Sequence, residues 1–319
     1  MSGEAVMDLF PAGLRSRLEH AKLDPELLQE IRMRANRPLL LRYGGKEYGL
    51  TMDGKLTLQT GNCAVMGQRE VKEALEHLAG YSLYAYDEEV KQGYFTVPGG
   101  HRVGVAGRVV MEGGHVQCIR HISFLNIRFA HQKKGCADEL MPYLIQDGSV
   151  CHTLLISPPG CGKTTMLRDV IRQISNGTCS LSGLTVGVVD ERSELAGAYL
   201  GIPQNDLGMR TDVLDGCLKS EGIQMLLRSM APQVIAVDEI GGEEDLAAVR
   251  SALYCGCRLI ATAHGASYEE VRKRTILQSL IERQVFDRYV FLAGREQVGR
   301  LRAVFGRKGE LLMGQAEAA

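Results

Sequence analysis

Residues 157–164 have the residue types and spacing that point most directly to chemistry. They read Ser-Pro-Pro-Gly-Cys-Gly-Lys-Thr, directly after the apolar run HTLLI and directly before the helical run TMLRDVIRQI. A strand, a glycine-rich turn and a helix in that order are typical of a phosphate-binding P-loop. Ser157 stands where the motif usually has its first glycine, at a turn position that tolerates small residues. The segment therefore predicts a site for the phosphates of a nucleotide.

Each part of this loop has an expected task. Backbone N–H groups and the helix N-terminus bind phosphate oxygens, Lys163 neutralises the β- and γ-phosphates, and the Thr164 hydroxyl binds Mg²⁺. The alternative, a chance glycine-rich turn, requires the Gly-Lys-Thr-Thr run and its context to coincide. The residues expected to contact the nucleotide are Pro159, Gly160, Cys161, Gly162, Lys163, Thr164 and Thr165. ATP and Mg²⁺ are the expected ligands. ATP is the default and the base stays open, because a P-loop contacts the phosphates and the sequence has no guanine-specific Asn-Lys-x-Asp segment.

A second apolar run, at residues 233–237, ends in the adjacent acids Asp238 and Glu239. This is the pattern of a Walker B strand. Two neighbouring carboxylates at a strand end can divide the work: Asp238 holds the hydrated Mg²⁺, and Glu239 orients or deprotonates the attacking water. The alternative is a solvated acidic turn, which the P-loop makes less favoured.

Two further apolar runs end in polar residues. Asp190 and Glu191 follow one of them, and Thr262 and His264 end the other. Ligands of open parallel sheets bind at the carboxyl ends of the strands. Glu191 is therefore a candidate second acid near the water, and Thr262 or His264 is a candidate contact or sensor of the γ-phosphate. A lone histidine is more often structural, but the strand-end position favours a functional role.

The charge that develops on a transferred phosphoryl group also calls for an arginine, which a neighbouring subunit often supplies. Arg128 is the preferred candidate, followed by Arg102, and each has the alternative of an ordinary surface salt bridge. The weaker candidates are Arg108, Arg120, Arg295 and Arg300.

Composition and charge limit the class of protein. Lys plus Arg (37) and Asp plus Glu (38) give a net charge of -1, which excludes a global basic field. Arg32, Arg34 and Arg37 form a local cluster that suits a partner or nucleic-acid patch, or, as the favoured interpretation, the basic end of a helix. The start lacks a signal-peptide layout and no apolar run approaches a membrane span, so a cytoplasmic protein is expected. Nine scattered cysteines indicate reduced thiols without a structural metal.

The chain has 319 residues, enough for two domains. Residues 1–132 are expected to form a smaller α+β domain, because helical and alternating segments are mixed there. Residues 133–319 are expected to form an α/β domain with a mostly parallel sheet, because continuous apolar strands alternate with helices. The polar run at 131–135 suits the boundary between them.

The elements expected in each domain follow from the same patterns. In the first domain they are a helix from Pro25 to about Arg34, a hairpin of strands 38–43 and 47–50, a helix at 68–79 and a β-meander at 93–118. In the second domain they are strands at 153–156, 184–189, 234–237 and 258–262, with an antiparallel hairpin of 288–292 and 299–305 at the sheet edge.

Six segments together resemble the stage III sporulation protein AA family of spore-forming bacteria, over nearly the whole chain. They are EIRMRANRPLLLR, GGHRVGVAGR, ISFLNIRFAH, SPPGCGKTTMLRD, VVDERSELAG and VIAVDEIGG. That family is related to type II and type IV secretion ATPases, which are hexameric motors with an N-terminal domain before a RecA-like P-loop domain. The resemblance implies that residues 190–194 match the Asp box, that 262–264 match the His box, and that Glu239 is the catalytic glutamate.

The resemblance also implies a place of action. It suggests an ATPase on the mother-cell side of the membrane around the forespore, cytoplasmic and peripheral to the membrane through its partners. It implies a homo-oligomer, a hexamer, and a membrane protein of the sporulation channel as partners, with no nucleic acid expected. Two alternatives stay open: a nucleic-acid-stimulated ATPase of helicase or loader type, and a nucleotide-gated scaffold with little turnover. The tetracysteine zinc module of the larger secretion ATPases is absent from the sequence.

Overall fold

The computed structural model describes residues 6–272 and 275–314, and within them the side chains of Thr60, Thr275, Ile276 and Arg295 lie outside the description. Contacts divide the chain into two compact units, the first ending at His131 and the second beginning at Gln132. Within the described ranges, no helix has both the length and the apolar character needed to cross a lipid bilayer.

The first unit combines helices with an antiparallel sheet. Its helices are α1 (Ala12–His20), α2 (Gln68–Leu78) and α3 (Asp87–Lys91). Its strands are β1 (Leu28–Arg34), β2 (Arg37–Pro38), β3 (Leu40–Tyr43), β4 (Lys46–Leu50), β5 (Leu56–Thr57), β6 (Val65–Met66), β7 (Tyr94–Val97), β8 (His101–Glu112) and β9 (His115–Arg128). The sheet order is β5-β4-β3-β1-β9-β8-β7, with β2 and β6 paired separately.

The helix expected from Pro25 to about Arg34 is wrong. The Asp24 carboxylate does accept the Glu26 N–H at 3.0 Å, but it caps only a single 3₁₀ turn, and the chain then becomes strand β1. Ile31 and Met33 are completely buried at a spacing of two residues, which is the period of a strand. Pairing with β3 on one side and β9 on the other makes β1 a central strand. Sheet pairing therefore overrides the local helix-start signal.

The interpretation of the arginine cluster as a basic helix end is wrong for the same reason. Arg32 and Arg34 lie on β1, with side chains on the face opposite to the buried one, and Arg37 lies on the short strand β2. A groove of about 300 Å³ on this face is lined by residues that include Arg32, Arg34, Phe124 and Asn126. Arg32 and Arg34 thus line an open sheet face.

Other expected elements of this unit are present. The predicted hairpin corresponds to β3 and β4, which pair antiparallel. The predicted amphipathic helix corresponds to α2, which buries Val71, Leu75 and Leu78 on one face. The predicted meander corresponds to β7, β8 and β9, and β9 runs on to Arg128, beyond the predicted end.

His101, at the start of β8, is a buried and uncharged imidazole. Its side chain is 2% exposed, its Nδ1 accepts the Ala130 N–H at 3.0 Å, and its ring lies edge-on to Phe129 with centroids 5.1 Å apart. Burial lowers the pKa of His101 from 6.5 to about 4. Protonation would place a charge in this apolar position and remove the acceptor for the Ala130 N–H.

This burial predicts that acid destabilises the first unit. Between pH 6.5 and about 4 the unfolded chain holds a proton on His101 that the folded chain does not, so the free energy of unfolding falls as the pH falls. At pH 5 linkage gives a loss of about 2 kcal/mol relative to pH 7.5. Urea unfolding at both pH values, read by pulsed hydrogen exchange of β8 and β9 peptides, should show this loss. In His101→Asn, which keeps an acceptor, it should be absent, whereas the exposed control His115→Asn should behave as wild type. Equal losses in wild type and His101→Asn would contradict the assignment.

The second unit is an α/β layer structure. Its helices are α4 (Met141–Leu144), α5 (Lys163–Asn176), α6 (Lys219–Ser229), α7 (Glu243–Tyr254), α8 (Tyr268–Arg272) and α9 (Thr275–Glu282). Its strands are β10 (Ile145–Gln146), β11 (Ser149–Val150), β12 (Thr153–Ser157), β13 (Val186–Asp190), β14 (Thr211–Asp215), β15 (Val234–Val237), β16 (Arg258–His264), β17 (Arg288–Leu292), β18 (Leu301–Gly306) and β19 (Leu311–Gly314). The main sheet has the order β14-β13-β15-β16-β12-β17-β18-β19.

The sheet is parallel from β14 to β17 and antiparallel from β17 to β19. Residues of β12, β13 and β15 are buried along their whole length, because helices cover both faces. On one face α5 contributes Val170 and Ile171 to the core, and on the other α6 and α7 contribute Ile223, Leu226 and Val249. The predicted α/β fold with a mostly parallel sheet is confirmed.

Three details at the sheet edges differ from expectation. Strand β14, at one edge, was not predicted, because three of the five residues in its sequence Thr-Asp-Val-Leu-Asp are polar; none of the five is fully buried. The predicted C-terminal hairpin is present as β17 and β18, but β17 also pairs parallel with β12, and β19 lies outside β18. The hairpin therefore joins the parallel sheet to an antiparallel edge.

The parallel register places four strand ends side by side. Ser157 of β12 lies opposite His264 of β16, and Val237 of β15 lies opposite both Ala261 of β16 and Val189 of β13. Since parallel strands point the same way, the residues after β12, β13, β15 and β16 meet at one edge of the sheet.

Candidate functional site

The P-loop connects the end of β12 to the start of α5 through two left-handed glycines. Gly160 has φ +76° and Gly162 has φ +91°, a region that residues with a Cβ rarely adopt. A Cβ at Gly162 would also lie 3.1 Å from the backbone of Gly299, in the connection between β17 and β18. The Gly299 N–H donates to the Cys161 carbonyl at 3.0 Å. Glycine is thus required at position 162 by backbone conformation and by close approach.

Lys163, the first residue of α5, is folded into the loop. Its side chain is almost fully buried, and Nζ donates to the carbonyls of Ser157 at 3.0 Å and Pro158 at 3.3 Å. Nζ also lies 3.1 Å from Nδ1 of His264. Burial lowers the pKa of Lys163, while the carboxylates of Asp238 and Glu239 act in the opposite direction. The ammonium group of Lys163 is therefore held beside the loop by the carbonyls of Ser157 and Pro158 and by Nδ1 of His264.

Asp238 lies between two threonine hydroxyls. Thr164 Oγ1 donates to Asp238 Oδ2 at 2.7 Å, and Thr262 Oγ1 donates to Asp238 Oδ1. Thr262 is completely buried in β16. The hydroxyl of Thr164 and the carboxylate of Asp238 are hard oxygen donors in contact with each other, next to the loop glycines. That donor set fits Mg²⁺, which binds through one or two protein oxygens together with phosphate oxygens and water.

Glu239 is held in a left-handed backbone conformation directly after β15, with φ +55°. The same buried threonine fixes this turn. The Glu239 N–H donates to Thr262 Oγ1 at 2.8 Å, and the Ile240 N–H donates to the Thr262 carbonyl at 2.8 Å. A left-handed residue with a side chain costs about 1–2 kcal/mol, so surrounding contacts must maintain it. The turn directs the Glu239 side chain away from the strand axis and towards β16 and the loop after β13.

The Glu239 carboxylate is bound on both oxygens. His264 Nε2 lies 3.0 Å from Oε1, and Arg192 Nη1 donates to Oε2 at 2.8 Å. Because the Lys163 ammonium has only donors, its contact with Nδ1 makes that nitrogen the acceptor, so the proton of a neutral His264 is on Nε2. His264 therefore connects Lys163 to Glu239, the candidate catalytic acid.

The loop after β13 carries Arg192 and is itself firmly anchored. The Asp190 carboxylate accepts the N–H groups of Glu194 at 2.9 Å and Ala196 at 2.7 Å. Arg168, from α5, donates to the carbonyls of Leu195 at 2.9 Å and Glu194 at 2.8 Å. Burial raises the pKa of Asp190 to about 6. The loop is thus tied both to its own strand and to the helix that follows the P-loop.

The structure brings five of the predicted site residues of the second unit into one set of contacts. Lys163, Thr164, Asp238, Glu239 and His264 are all joined, with Thr262 as the buried link. The catalytic and binding roles of these residues remain predictions. Their proximity follows from the parallel pairing of β12, β15 and β16.

Glu191 and the arginine candidates are placed differently. The Glu191 carboxylate forms an ion pair with Lys219 of α6. Arg102 and Arg128 lie opposite each other on β8 and β9 of the first unit. The Arg102 guanidinium lies 3.5 Å from the centroid of the Tyr94 ring, and Arg128 is exposed. Their action on a neighbouring subunit's nucleotide stays a prediction.

Sequence reasoning assigned no role to Arg192 or Arg168. Arg192 was visible within the acidic segment 190–194, and an arginine beside a strand-end carboxylate is the signal that could have marked it. Arg168 is a buried cation on α5, a helix that also buries Asp169 and Ser175. Only the register of β13 beside β15 shows that Arg192 reaches Glu239.

Comparison with known proteins gives one family and several related folds. The family model described as sporulation stage III, protein AA matches residues 2–312. The stage III sporulation protein AA of Bacillus subtilis (strain 168) is 41% identical over 308 residues, which cover 96% of this chain and 96% of that protein.

Solved structures of ATPases share the fold. The ATPase DotB of Legionella pneumophila is 16% identical with a TM-score of 0.57, over 88% of this chain and 76% of that one. The pilus retraction motor PilT with bound ADP is 14% identical with a TM-score of 0.57, over 94% of this chain and 82% of that one. At this level of identity the likeness concerns the fold.

Proposed function

This chain belongs to the sporulation stage III, protein AA family, and from that premise we propose that it is a Mg²⁺-dependent ATP hydrolase that acts as a motor during spore formation. The observation that carries the proposal is the continuous set of contacts from Lys163 through His264 to Glu239, beside the Thr164–Asp238 pair. The groups proposed to bind phosphate, hold a metal and orient water thus lie around one loop.

Phosphate binding requires Lys163 to change partners. Its ammonium leaves the carbonyls of Ser157 and Pro158 and binds the β- and γ-phosphates, whose negative charge is a stronger acceptor than a neutral carbonyl. The backbone N–H groups of the loop and the first turn of α5 bind the remaining oxygens. The glycines at 160 and 162 leave the loop backbone open to this approach.

Thr164 and Asp238 are the residues that would hold Mg²⁺, through the hydroxyl and the Oδ2 carboxylate oxygen that now contact each other. When bound, Mg²⁺ neutralises charge on the β- and γ-phosphates. Thr262 keeps Asp238 in place from the buried side.

Hydrolysis joins a water oxygen to the γ-phosphorus and breaks its bond to the bridging oxygen, which leaves with ADP. Glu239 orients this water and accepts its proton. His264 keeps the carboxylate in place and registers whether Lys163 has moved to the phosphates, and Glu191 assists as a second acid. Arg128 or Arg102 from a neighbouring subunit stabilises the charge on the γ-phosphoryl group.

The proposed setting is a homo-oligomer, in the form of a hexamer, that docks on a membrane protein of the sporulation channel on the mother-cell side. Family membership and the shared fold of DotB and PilT support a motor of this kind. Completion of the site by an arginine from another subunit makes assembly necessary for turnover.

The test is the rate of ATP hydrolysis per subunit, with Mg²⁺, over a wide range of protein concentration. The rate should rise steeply with concentration, because only assembled subunits have a complete site, and Lys163→Ala should supply the blank. A rate equal to that of the blank at every concentration, also with the membrane partner present, would contradict the proposal and favour a nucleotide-gated scaffold.

One observation favours a second candidate, a nucleic-acid-stimulated ATPase. The groove on the first unit's sheet combines Arg32 and Arg34 with Phe124, whose side chain is 45% exposed, and arginines beside an exposed ring suit a single strand of nucleic acid. Single-stranded DNA added to the same assay distinguishes the two. Stimulation that falls with added salt would favour this second function, and an unchanged rate would favour the channel motor.

A further inference from the structure

We propose that Arg192 is a positioning residue for Glu239, fixing the carboxylate so that it meets the attacking water in one orientation. The inference rests on the proposed function and adds a residue to its site. Arg192 Nη1 donates to Glu239 Oε2 at 2.8 Å, while His264 Nε2 holds Oε1 at 3.0 Å. The two donors approach different oxygens, so together they determine the rotation of the carboxylate plane.

The backbone beneath the carboxylate supports this function. Glu239 has φ +55° and its N–H is bound by the buried Thr262. A fixed backbone still leaves the three side-chain torsions of a glutamate free. The contacts with Arg192 and His264 are what restrict those torsions in the described structure.

Arg192 is itself presented by a rigid support. The next residue, Ser193, has φ +53°, and the loop is held by the Asp190 carboxylate and by the Arg168 guanidinium of α5. Because α5 also begins with Lys163, the guanidinium of Arg192 has a defined position relative to the phosphate-binding lysine. Groups mounted on rigid elements can hold a reacting group to within a fraction of an ångström, and a misplacement of about 1 Å can cost about 10²-fold in rate.

The arginine is suited to positioning and not to stability. Its side chain is 65% exposed and that of Glu239 is 27% exposed, and exposed ion pairs contribute little to folding. In the described part of the chain Arg192 makes no hydrogen bond to Lys163 or Thr164. Its removal should therefore change the placement of Glu239 while leaving the folded protein and its phosphate-binding residues intact.

The test compares kcat, KM and the affinity for a fluorescent ATP analogue in wild type, Arg192→Ala, Arg192→Lys, Glu239→Gln and the double variant Arg192→Ala/Glu239→Gln. We expect Arg192→Ala to lower kcat by about 10- to 100-fold, with KM and affinity within about threefold. Arg192→Lys should recover part of the loss, because an ammonium can still donate to Oε2. In the Glu239→Gln background the arginine substitution should change kcat by less than about twofold, because residues that act as a unit are not additive.

Arg228→Ala, which removes an arginine from an exposed position on α6, is the matched control. It should leave kcat at the wild-type value. A wild-type kcat in Arg192→Ala would overturn the inference, and so would a raised KM with unchanged kcat, which would make Arg192 a phosphate contact. Full additivity in the double variant would also overturn it. Failure of the proposed function is distinguishable, because wild type itself would then show no hydrolysis above the Lys163→Ala blank, and the inference would fall with it.

Discussion

Glu239→Gln should bind ATP with nearly wild-type affinity and hydrolyse it about 10² to 10⁴ times more slowly. The change removes the negative charge and the proton acceptor that the attacking water needs, and a single general base is worth a factor of that size. The side chain keeps its length, and neither the hydrogen bond of Lys163 to the Ser157 carbonyl nor that of Thr164 to Asp238 involves it. Affinity for the nucleotide should therefore change by no more than about threefold.

The two donors that hold Glu239 make the substitution informative in a second way. Arg192 and His264 each donate to one carboxylate oxygen, whereas a glutamine side chain has only one oxygen. The amide can satisfy one donor and presents its own N–H groups to the other. The rate of phosphate release measures hydrolysis, and binding of a fluorescent ATP analogue measures affinity for the nucleotide. Glu244→Gln, the same change at an exposed position on α7, is the matched control, and a Glu239→Gln protein with full turnover would remove Glu239 from the catalytic role.

Lys163→Ala should weaken Mg²⁺–ATP binding by about 10²-fold and reduce hydrolysis to background. Hydrogen bonds between charged partners contribute about 1.5–3 kcal/mol each, and Lys163 is expected to form them with two phosphates. A loss of about 3 kcal/mol corresponds to about 10² in the dissociation constant. Titration with the fluorescent analogue, with and without Mg²⁺, measures it.

The same substitution should leave the nucleotide-free protein stable. Burial disfavours the charged form of Lys163 and lowers its pKa, and its partners are the carbonyl oxygens of Ser157 and Pro158 together with Nδ1 of His264. The midpoint of thermal unfolding without nucleotide should therefore shift by no more than about 2–4 °C, the equivalent of about 1 kcal/mol. Lys308→Ala, at an exposed position, is the control for loss of a lysine. If Lys163→Ala bound ATP with wild-type affinity, the loop would not be a nucleotide site.

Local patterns predicted the parts of the site that are continuous in sequence. The P-loop and the Asp238–Glu239 pair could be predicted as site segments because strand, turn and helix signals occur within a few residues of each other. The contacts that join them were not predictable, because Arg192 meets Glu239 only through the pairing of β13 with β15, and Lys163 meets His264 only through the pairing of β12 with β16. Sheet register is a long-range property that no local window contains.

The error at β1 has a related cause. Asp24, Pro25 and the apolar residues after them satisfy the rules for a helix start, and the cap hydrogen bond does form. Competition from two neighbouring strands then decides the conformation, since Ile31 and Met33 are buried between layers. Arg32 and Arg34 alternate with these buried residues in the sequence, as in a strand. A segment of seven residues is too short to distinguish the two-residue period of a strand from the 3.6-residue period of a helix.

The position of β12 in the sheet has a consequence for synthesis on the ribosome. β12 is the first strand of the main sheet to be made, yet both of its neighbours come late: Thr153 pairs with Ile260 of β16 and with Arg288 of β17. Until β17 has emerged from the exit tunnel, β12, which precedes the P-loop, has at least one unpaired edge. Unpaired strand edges in nascent chains are prone to aggregation and incorrect pairing. A chain truncated before β17 should therefore depend on chaperones, and the ability to bind nucleotide should be acquired only near the end of translation.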